Sequence, residues 1–320
     1  MGDLENNGNK MRVAAIQLEP VIGDVSHNSL VCEKLANEAG EKGAQWIILP
    51  EFFTTGMAFN ERIKNAVLPY DGEATKLLLK LAKRYQAYVG GSFLCRDQDG
   101  HVRNAFLLAS PDRIVGRHDK DLPTMWENCF YIGGNDEGLI KVSEMTVGSV
   151  LCWEFMRSQT ARRLREKIDI VVGGSCWWSV PKWYPKTITN KWENANSQTA
   201  IESVRTFATY VGAPVIHASH CGNIDCKLPW LPVRYRGYYE GGAMVVDAQG
   251  KILAMRKRED GPGVVVADVI FGKIPPKKDV PGRFWLHKRG PLPSFAWTYQ
   301  RLHGRMWYKK HMLGKNPNHL

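Results

Sequence analysis

The chain has 320 residues, a mass of 36.2 kDa and a near-average globular composition, with 44% hydrophobic and 23% charged residues. This composition excludes a disordered chain, a collagen and a coiled coil. No apolar run approaches the roughly 18 residues of a membrane-spanning helix, and the polar start of the chain does not resemble a secretory signal. Seven widely spaced cysteines fit reduced thiols better than a disulfide framework. We therefore expect a cytoplasmic protein with no membrane partner.

The net charge of +11 is concentrated at the C-terminal end of the chain. From Lys273 onward there are eleven Lys or Arg residues and one acidic residue, so the rest of the chain is almost balanced. This distribution argues against a uniformly basic nucleic-acid-binding body. Basic residues interleaved with aromatic ones, as in this tail, suit single-stranded nucleic acid or an anionic surface. Packing against a subunit is the simpler expectation, and nucleic-acid binding is the weaker alternative.

Short apolar runs alternate with amphipathic stretches along the body of the chain. The pattern predicts strands near residues 12–18, 46–49, 89–94, 104–109, 114–118, 146–151, 168–172, 215–218, 242–247, 251–255 and 264–269. It predicts helices near residues 27–43, 73–85, 158–167 and 190–210. Turn-like sequences at 97–100 and 248–250 indicate two β-hairpins among the strand–helix units. We therefore expect an α/β protein with a mixed sheet, or two sheets, and with helices outside.

Three polar residues stand where predicted strands end: Glu51, Lys120 and Cys152. In α/β proteins, ligands bind beyond the carboxyl ends of strands, so these positions are where chemistry is expected. A thiolate is a strong nucleophile, a carboxylate can take its proton, and an ammonium group can stabilise an oxyanion. Each residue alone has a structural explanation, as a buried thiol, a loop carboxylate or a solvated lysine. The set favours a cysteine nucleophile, and the lack of a neighbouring His argues against a papain-like site.

Three segments resemble the signature segments of the nitrilase, or carbon–nitrogen hydrolase, superfamily. They are PEFF at 50–53, GRHDKDLPTMWE at 116–127 and VLCWEF at 150–155, and the resemblance covers roughly residues 11–270. It implies a nitrilase-like domain over 11–270, folded as a four-layer α-β-β-α sandwich. A basic C-terminal extension rich in Pro and aromatic residues would follow over 271–320. The resemblance also implies a homodimer or higher homo-oligomer, and a reaction that needs no metal and no organic cofactor.

The resemblance also implies a role for each motif residue. Glu51 is expected to be the general base, Lys120 the oxyanion-stabilising lysine and Cys152 the nucleophile. Glu127 is expected to be the second active-site glutamate, with the nearby Glu137 as the alternative. The implied reaction has two steps, in which the cysteine attacks an amide or nitrile carbon and water then hydrolyses the covalent intermediate.

A dense aromatic group follows the strand predicted at 168–172 and predicts a pocket wall or a lid. The predicted substrate-binding residues are Trp153, Glu154, Trp177, Trp178 and Tyr184, with the backbone N–H of Trp153 as second oxyanion donor. A lid packed on the core or on a second subunit is the alternative for the aromatic group. Residues 235–240 form a weaker candidate loop. Glu154 resembles the Cys-Trp-Glu of nitrile-cleaving members, whereas Phe155 does not fit them. We therefore predict an amidase for a small linear amide or N-carbamoyl compound, with a nitrilase as alternative.

One further pattern, H-x2-H-C-x4-C, is formed by His217, His220, Cys221 and Cys226. Zinc accepts such ligands. His217 belongs to a predicted strand, however, and no second ligand pair follows at a typical zinc-finger interval. We therefore expect no metal at these residues.

Overall fold

The computed structural model describes residues 10–182, 186–287 and 291–313. The strands are β1 (Lys10–Leu18), β2 (Trp46–Ile48), β3 (Leu68–Pro69), β4 (Tyr88–Arg96), β5 (Val102–Ala109), β6 (Ile114–Asp119), β7 (Leu139–Val142), β8 (Met145–Leu151), β9 (Ile170–Ser175), β10 (Val215–His220), β11 (Asn223–Lys227), β12 (Arg234–Tyr238), β13 (Gly241–Val246), β14 (Ile252–Lys257) and β15 (Gly263–Ile270). The helices are α1 (Val25–Glu41), α2 (Arg62–Asn65), α3 (Glu73–Tyr85), α4 (Ser158–Leu164), α5 (Lys186–Val211) and α6 (Pro291–His311). Short 3-10 helices include Met125–Cys129 and Cys152–Met156.

The strands form two half-sheets that are joined at one end. The hydrogen-bonded order is β6-β5-β4-β2-β1-β10-β9-β8-β7, with β15 on the other edge of β1 and the β13–β14 hairpin on β10. The junction between β1 and β10 holds only two residue pairs, Gln17 with Ser219 and Leu18 with His220. Because the join is so short, the two halves can fold over one another and bury their facing sides.

Three apolar layers separate the sheets and helices. Side chains along a strand alternate between its faces, so Ala14 and Ile16 of β1 pack with α1 and α3. Val13 of the same strand packs between the half-sheets, together with residues of β8 and β13. On the far side, α4 and α5 cover the second half-sheet through a cluster that includes Leu164 and Phe207. This arrangement confirms the predicted four-layer α-β-β-α sandwich.

The C-terminal segment differs most from expectation. No helix was predicted in the basic extension, but residues 291–311 form the helix α6, which packs on the 3-10 helix Met125–Cys129. Its Tyr308 is buried, and the hydroxyl oxygen accepts a hydrogen bond from the backbone N–H of Val102. Trp297 stacks on Trp153 with ring centroids 5.3 Å apart. These aromatic rings pack on the body of the protein and are not free to stack on bases, which weakens the nucleic-acid alternative. The predicted domain boundary near residue 270 stays a prediction.

The described part of the chain has no helix that is long and apolar enough to cross a membrane. The expected cytoplasmic location is not tested by this finding.

The close approach of β8 and β9 gives a direct test of the fold. A Cβ added at Gly173 would lie 1.9 Å from the carbonyl oxygen of Val150, on the strand that leads to Cys152. We expect Gly173→Ala to lower the free energy of unfolding by about 3 kcal/mol, because overpacking costs ~1–3 kcal/mol even where side chains can adjust. The measurement is urea unfolding followed by circular dichroism. Gly282→Ala, where a Cβ meets no atom within 4 Å, is the control, and equal stability of the two variants would contradict the account.

Candidate active site

Glu51 lies in the loop after β2 and is fully buried. Its Oε1 accepts hydrogen bonds from Lys120 Nζ at 2.8 Å and Asn104 Nδ2 at 2.9 Å, and its Oε2 accepts one from the backbone N–H of Cys176 at 2.9 Å. Burial raises the pKa of Glu51 to about 7; the charge of Lys120 opposes this shift and that of Glu127 adds to it. A carboxyl group that titrates near neutral pH can both accept and return a proton.

Lys120 follows β6 and holds two carboxylates together. Its Nζ donates to Glu51 Oε1 and to Glu127 Oε2, each at 2.8 Å, and all three side chains are buried. Burial alone lowers the pKa of Lys120, but the charges of Glu127 and Glu51 outweigh burial and raise the pKa well above its ordinary value. The ammonium group therefore stays charged at neutral pH, as an oxyanion-stabilising group must.

Glu127 is held by the first turn of the 3-10 helix Met125–Cys129. Its Oε2 also accepts hydrogen bonds from the backbone N–H of Thr124 at 2.7 Å and from the hydroxyl of Tyr131. Its Oε1 is buried and has no partner among the described residues. Glu137, the alternative named from the sequence, is exposed. Of the two glutamates, the structure thus brings Glu127 to Lys120.

Cys152 directly follows β8 and begins a 3-10 helix in a backbone conformation that residues other than glycine rarely adopt, with φ at +52°. Its Sγ and one carboxylate oxygen each of Glu51 and Glu127 all lie within 4.8 Å of one another. Burial raises the pKa of the thiol, the two carboxylates raise it further, and Lys120 opposes them. The thiol is therefore protonated in the resting site, and it needs a neighbouring base before it can attack.

The same three donor atoms satisfy the distances of a metal site, but the charge arrangement does not favour a cation. Lys120 already donates to both carboxylates, so a metal ion would have to displace its ammonium group.

The histidines of the zinc-like sequence pattern are not part of this donor group. The His217 ring pairs with Ser175 Oγ and the carbonyl of Gly242. His220 Nε2 lies 2.5 Å from the carbonyl oxygen of Glu51. The two histidines of the sequence pattern that resembled a zinc site thus form hydrogen bonds within the protein.

Both carboxylate oxygens of Glu154 accept hydrogen bonds from the protein itself. Its Oε1 accepts from the backbone N–H of Asp121 at 2.7 Å, and its Oε2 accepts from that of Leu151 at 2.8 Å and from His118 Nε2 at 3.1 Å. On the other side of the ring, His118 Nδ1 lies 2.6 Å from Asp136 Oδ1. Glu154 therefore ties the loop after Lys120 to the end of β8, next to Cys152, and its contact with substrate stays a prediction.

Two charges meet in this buried network. Burial lowers the pKa of His118, but Glu154 and Asp136 outweigh burial and raise it to about 10. Burial raises the pKa of Glu154, but the charge of His118 and the hydrogen bonds outweigh it and lower the pKa to about 2. At neutral pH the network therefore holds an imidazolium between two carboxylates.

The predicted aromatic residues divide between two clusters. Trp153 and Trp177 pack with Cys152 and Met125, and their ring centroids are 6.1 Å apart. Trp178 belongs to a neighbouring cluster, where its Nε1 donates to the carbonyl of Met57. Tyr184 lies outside the described residues. The first cluster gives Cys152 an apolar, aromatic neighbourhood.

Sequence reasoning missed three contributors to the site: Asn104, Tyr131 and Trp297. Asn104 lies in β5 and Tyr131 follows the 3-10 helix, and neither belongs to a motif that marks it. Trp297 lies on α6, a helix that was not predicted. Only the folded chain shows that these residues reach Glu51, Glu127 and Trp153 respectively.

Comparison with known proteins identifies the class. The model of the carbon–nitrogen hydrolase family matches residues 12–277. A nitrilase from Pyrococcus abyssi is 29% identical over 163 residues, a match that spans 49% of this chain and only 61% of that relative. The omega-amidase YafV of Yersinia enterocolitica is 27% identical over 210 residues, or 65% of this chain and 71% of the relative. A solved amidase from Nesterenkonia sp. shares the fold, with a TM-score of 0.64, 19% identity, and coverage of 84% of this chain and 93% of the other.

The chain belongs to the carbon–nitrogen hydrolase family and is an enzyme of that class. This match confirms the resemblance to the carbon–nitrogen hydrolase superfamily that the three sequence motifs indicated. The named relatives act on different groups, so the family alone leaves the substrate undetermined.

The buried network at His118 generates a stability prediction. His118→Gln leaves Glu154 buried without its cationic partner, and such a loss costs roughly 3–5 kcal/mol of unfolding free energy. The double variant His118→Gln/Glu154→Gln removes the stranded charge and should recover part of that loss. Chemical denaturation of the three proteins measures both effects.

The difference in unfolding free energy between the parent and His118→Gln depends on pH with a defined sign. Because folding raises the pKa of His118 from 6.5 to about 10, its contribution is complete below pH 6.5 and is lost as the pH rises through 10. A single variant as stable as the parent at pH 6 would contradict this account of the network.

Proposed function

We propose that the protein hydrolyses the C–N bond of a small linear amide or N-carbamoyl compound through a thioester on Cys152. The observation that carries the proposal is the buried grouping of one thiol, one ammonium and two carboxylates, with the thiol sulfur within 4.8 Å of both carboxylates. This is the set that thiol-based acyl transfer requires: a nucleophile, a base and an oxyanion donor.

The geometry supports the following sequence of steps. Glu51 takes the proton of the Cys152 thiol as sulfur attacks the carbonyl carbon. The Lys120 ammonium and the backbone N–H of Trp153 stabilise the oxyanion. As the intermediate collapses, the C–N bond breaks and Glu51 returns the proton to the leaving ammonia or amine. Water, deprotonated by Glu51, then attacks the thioester, and the acid leaves as the thiol is reprotonated.

Glu127 supports an amide over a nitrile. A buried acceptor without a hydrogen bond costs about 1–3 kcal/mol, and Glu127 Oε1 is such an acceptor among the described residues. The NH2 group of an amide or carbamoyl compound carries donors that can satisfy it, whereas the nitrogen of a nitrile carries none. The neighbouring Trp153 and Trp177 favour an apolar, extended acyl group.

A nitrilase is the second candidate. Its support is the Cys-Trp-Glu sequence at 152–154 and the similarity to nitrilases. Nitrile hydrolysis would pass through a thioimidate on the same sulfur. Since Glu154 is fully engaged with His118, Asp121 and Leu151, its identity is explained by the protein's own hydrogen bonds and does not report on the substrate.

The predicted homodimer or higher oligomer stays a prediction. Several apolar side chains on one side of α6, Phe295, Leu302 and Met306, are exposed in the single chain. A stripe of this kind is consistent with a second subunit.

A substrate panel tests the proposed activity. Short aliphatic primary amides, N-carbamoyl amines and the matching nitriles are incubated with the enzyme, and the products are resolved by mass spectrometry. We expect turnover of amides or carbamoyl compounds, lost by at least about 10³-fold in Cys152→Ala, since the nucleophile is removed. Cys95→Ala, another buried thiol remote from the site, should keep the parent rate. Turnover of nitriles alone would contradict the amidase proposal.

The role of Glu51 predicts a pH profile. Because the base must be ionised and its pKa is about 7, kcat/KM should fall about tenfold per pH unit below pH 7 and level off above it. Glu51→Gln should lower kcat/KM by about 10³ and abolish the acid limb. If the residual kcat/KM of Glu51→Gln still falls below pH 7 as in the parent, the titrating group is not Glu51 and the assignment is contradicted.

A further inference from the structure

The helix α6 and the loop that follows Lys120 enclose a cavity of about 370 Å³. This volume suits a small ligand. The polar and charged residues that matter for its chemistry are Arg301, Arg305 and Lys309 of α6, with His101, Asn128 and Tyr131 opposite them. The described lining contains three cationic side chains and neither Asp nor Glu, so its potential is positive.

The three cations lie close together on α6. Arg301, Arg305 and Lys309 recur every fourth residue and so share one side of α6. Within the described ranges none of them forms an ion pair. Burial lowers the pKa of Arg301, and the charge of Arg305 lowers it further. Like charges four residues apart destabilise a helix, and an anion in the cavity would relieve that repulsion.

A fourth cation lies directly behind the wall of the cavity. Arg157 is 1% exposed, its Nη2 donates to the carbonyl of Leu122 at 3.1 Å, and its guanidinium lies over the Trp297 ring at 5.8 Å. Leu122 and Trp297 both line the cavity. Nε and Nη1 of Arg157 have no hydrogen-bond partner in the described part of the chain. This buried guanidinium adds positive charge beside the cavity, and part of that charge acts on Glu154, whose pKa it lowers.

The cavity is separate from the reacting atoms but shares two walls with the site. Neither Cys152 nor Lys120 lines it. Tyr131 lines it and donates its hydroxyl proton to Glu127, and Trp297 lines it and stacks on Trp153. The helix that supplies the cations begins after residue 277, where the match to the family model ends. The family resemblance therefore does not account for this feature.

We propose that this cavity binds a small anion with two or more negative oxygens, held by Arg301, Arg305 and Lys309. Planar guanidinium groups match the spacing of carboxylate and phosphate oxygens, and paired N–H donors bind such oxygens more strongly than neutral groups do. Phosphate and polycarboxylates share this chemistry, and the experiment below distinguishes them.

The test is isothermal titration calorimetry of the full chain with inorganic phosphate and, separately, with citrate. We expect saturable binding of at least one anion, weakened tenfold or more in Arg301→Gln/Arg305→Gln. The control is Lys310→Gln, which removes one exposed positive charge from the same helix outside the cavity lining and is matched to the single variant Lys309→Gln used below. The control should bind within twofold of the parent.

Thermal unfolding provides the second readout and guards against a misfolded double variant. The bound anion should raise the Tm of the parent and of Lys310→Gln, and raise that of Lys309→Gln much less. Cys152→Ala should bind like the parent, so the result is independent of the proposed hydrolytic activity. The absence of binding by both anions, or equal binding by the double variant and the control, would overturn the proposal.

Discussion

The ammonium group of Lys120, buried between two carboxylates, is the interaction on which the site depends. Removing three ionisable groups from water costs free energy, and a buried cation with its carboxylates is stable only when the partners are held in good geometry. Here the geometry is set by the ends of three strands: β2 leads to Glu51, β6 to Lys120 and β8 to Cys152. The packing of the sandwich core determines where those strands end, and therefore where the three side chains lie relative to one another.

Cys152, the proposed nucleophile, lies beside a second buried charge network. Glu154 follows the end of β8 and accepts a hydrogen bond from Asp121, which is the residue after Lys120. The His118 ring joins Glu154 to Asp136. This network joins the two half-sheets on the side where the site lies. Cys152 can keep its unfavourable backbone conformation because the residues on both sides of it are anchored. Stability and reactivity thus rest on the same contacts.

The sequence predicted the elements whose signals are local. The amphipathic pattern at 73–85 matches α3 residue for residue, and the ends of the short buried strands placed Glu51, Lys120 and Cys152 at one edge. The resemblance to the nitrilase superfamily added Glu127, and the exposed position of Glu137 explains why only one of the two glutamates reaches the lysine.

The rest depended on contacts between distant segments. Basic residues and two prolines interrupt the apolar pattern of 291–311. The helix α6 therefore becomes evident only from the contacts of its Tyr308 and Trp297 with the body. Glu154 was predicted to bind substrate from the resemblance to the Cys-Trp-Glu of nitrile-cleaving members, and a sequence motif does not report side-chain direction. Its actual partners come from β6 and the loop after it. Neither feature could be derived from periodicity or motif spacing.

The central claim is that Cys152 carries the acyl group during turnover. The most direct measurement is to mix the enzyme with a turned-over amide, quench with acid within the first turnovers, and determine the intact mass and the modified peptide. The account predicts a mass gain equal to the acyl group, located on Cys152 and not on the neighbouring Cys176. Product formation with no adduct in any quenched sample, or an adduct on Cys176, would contradict it.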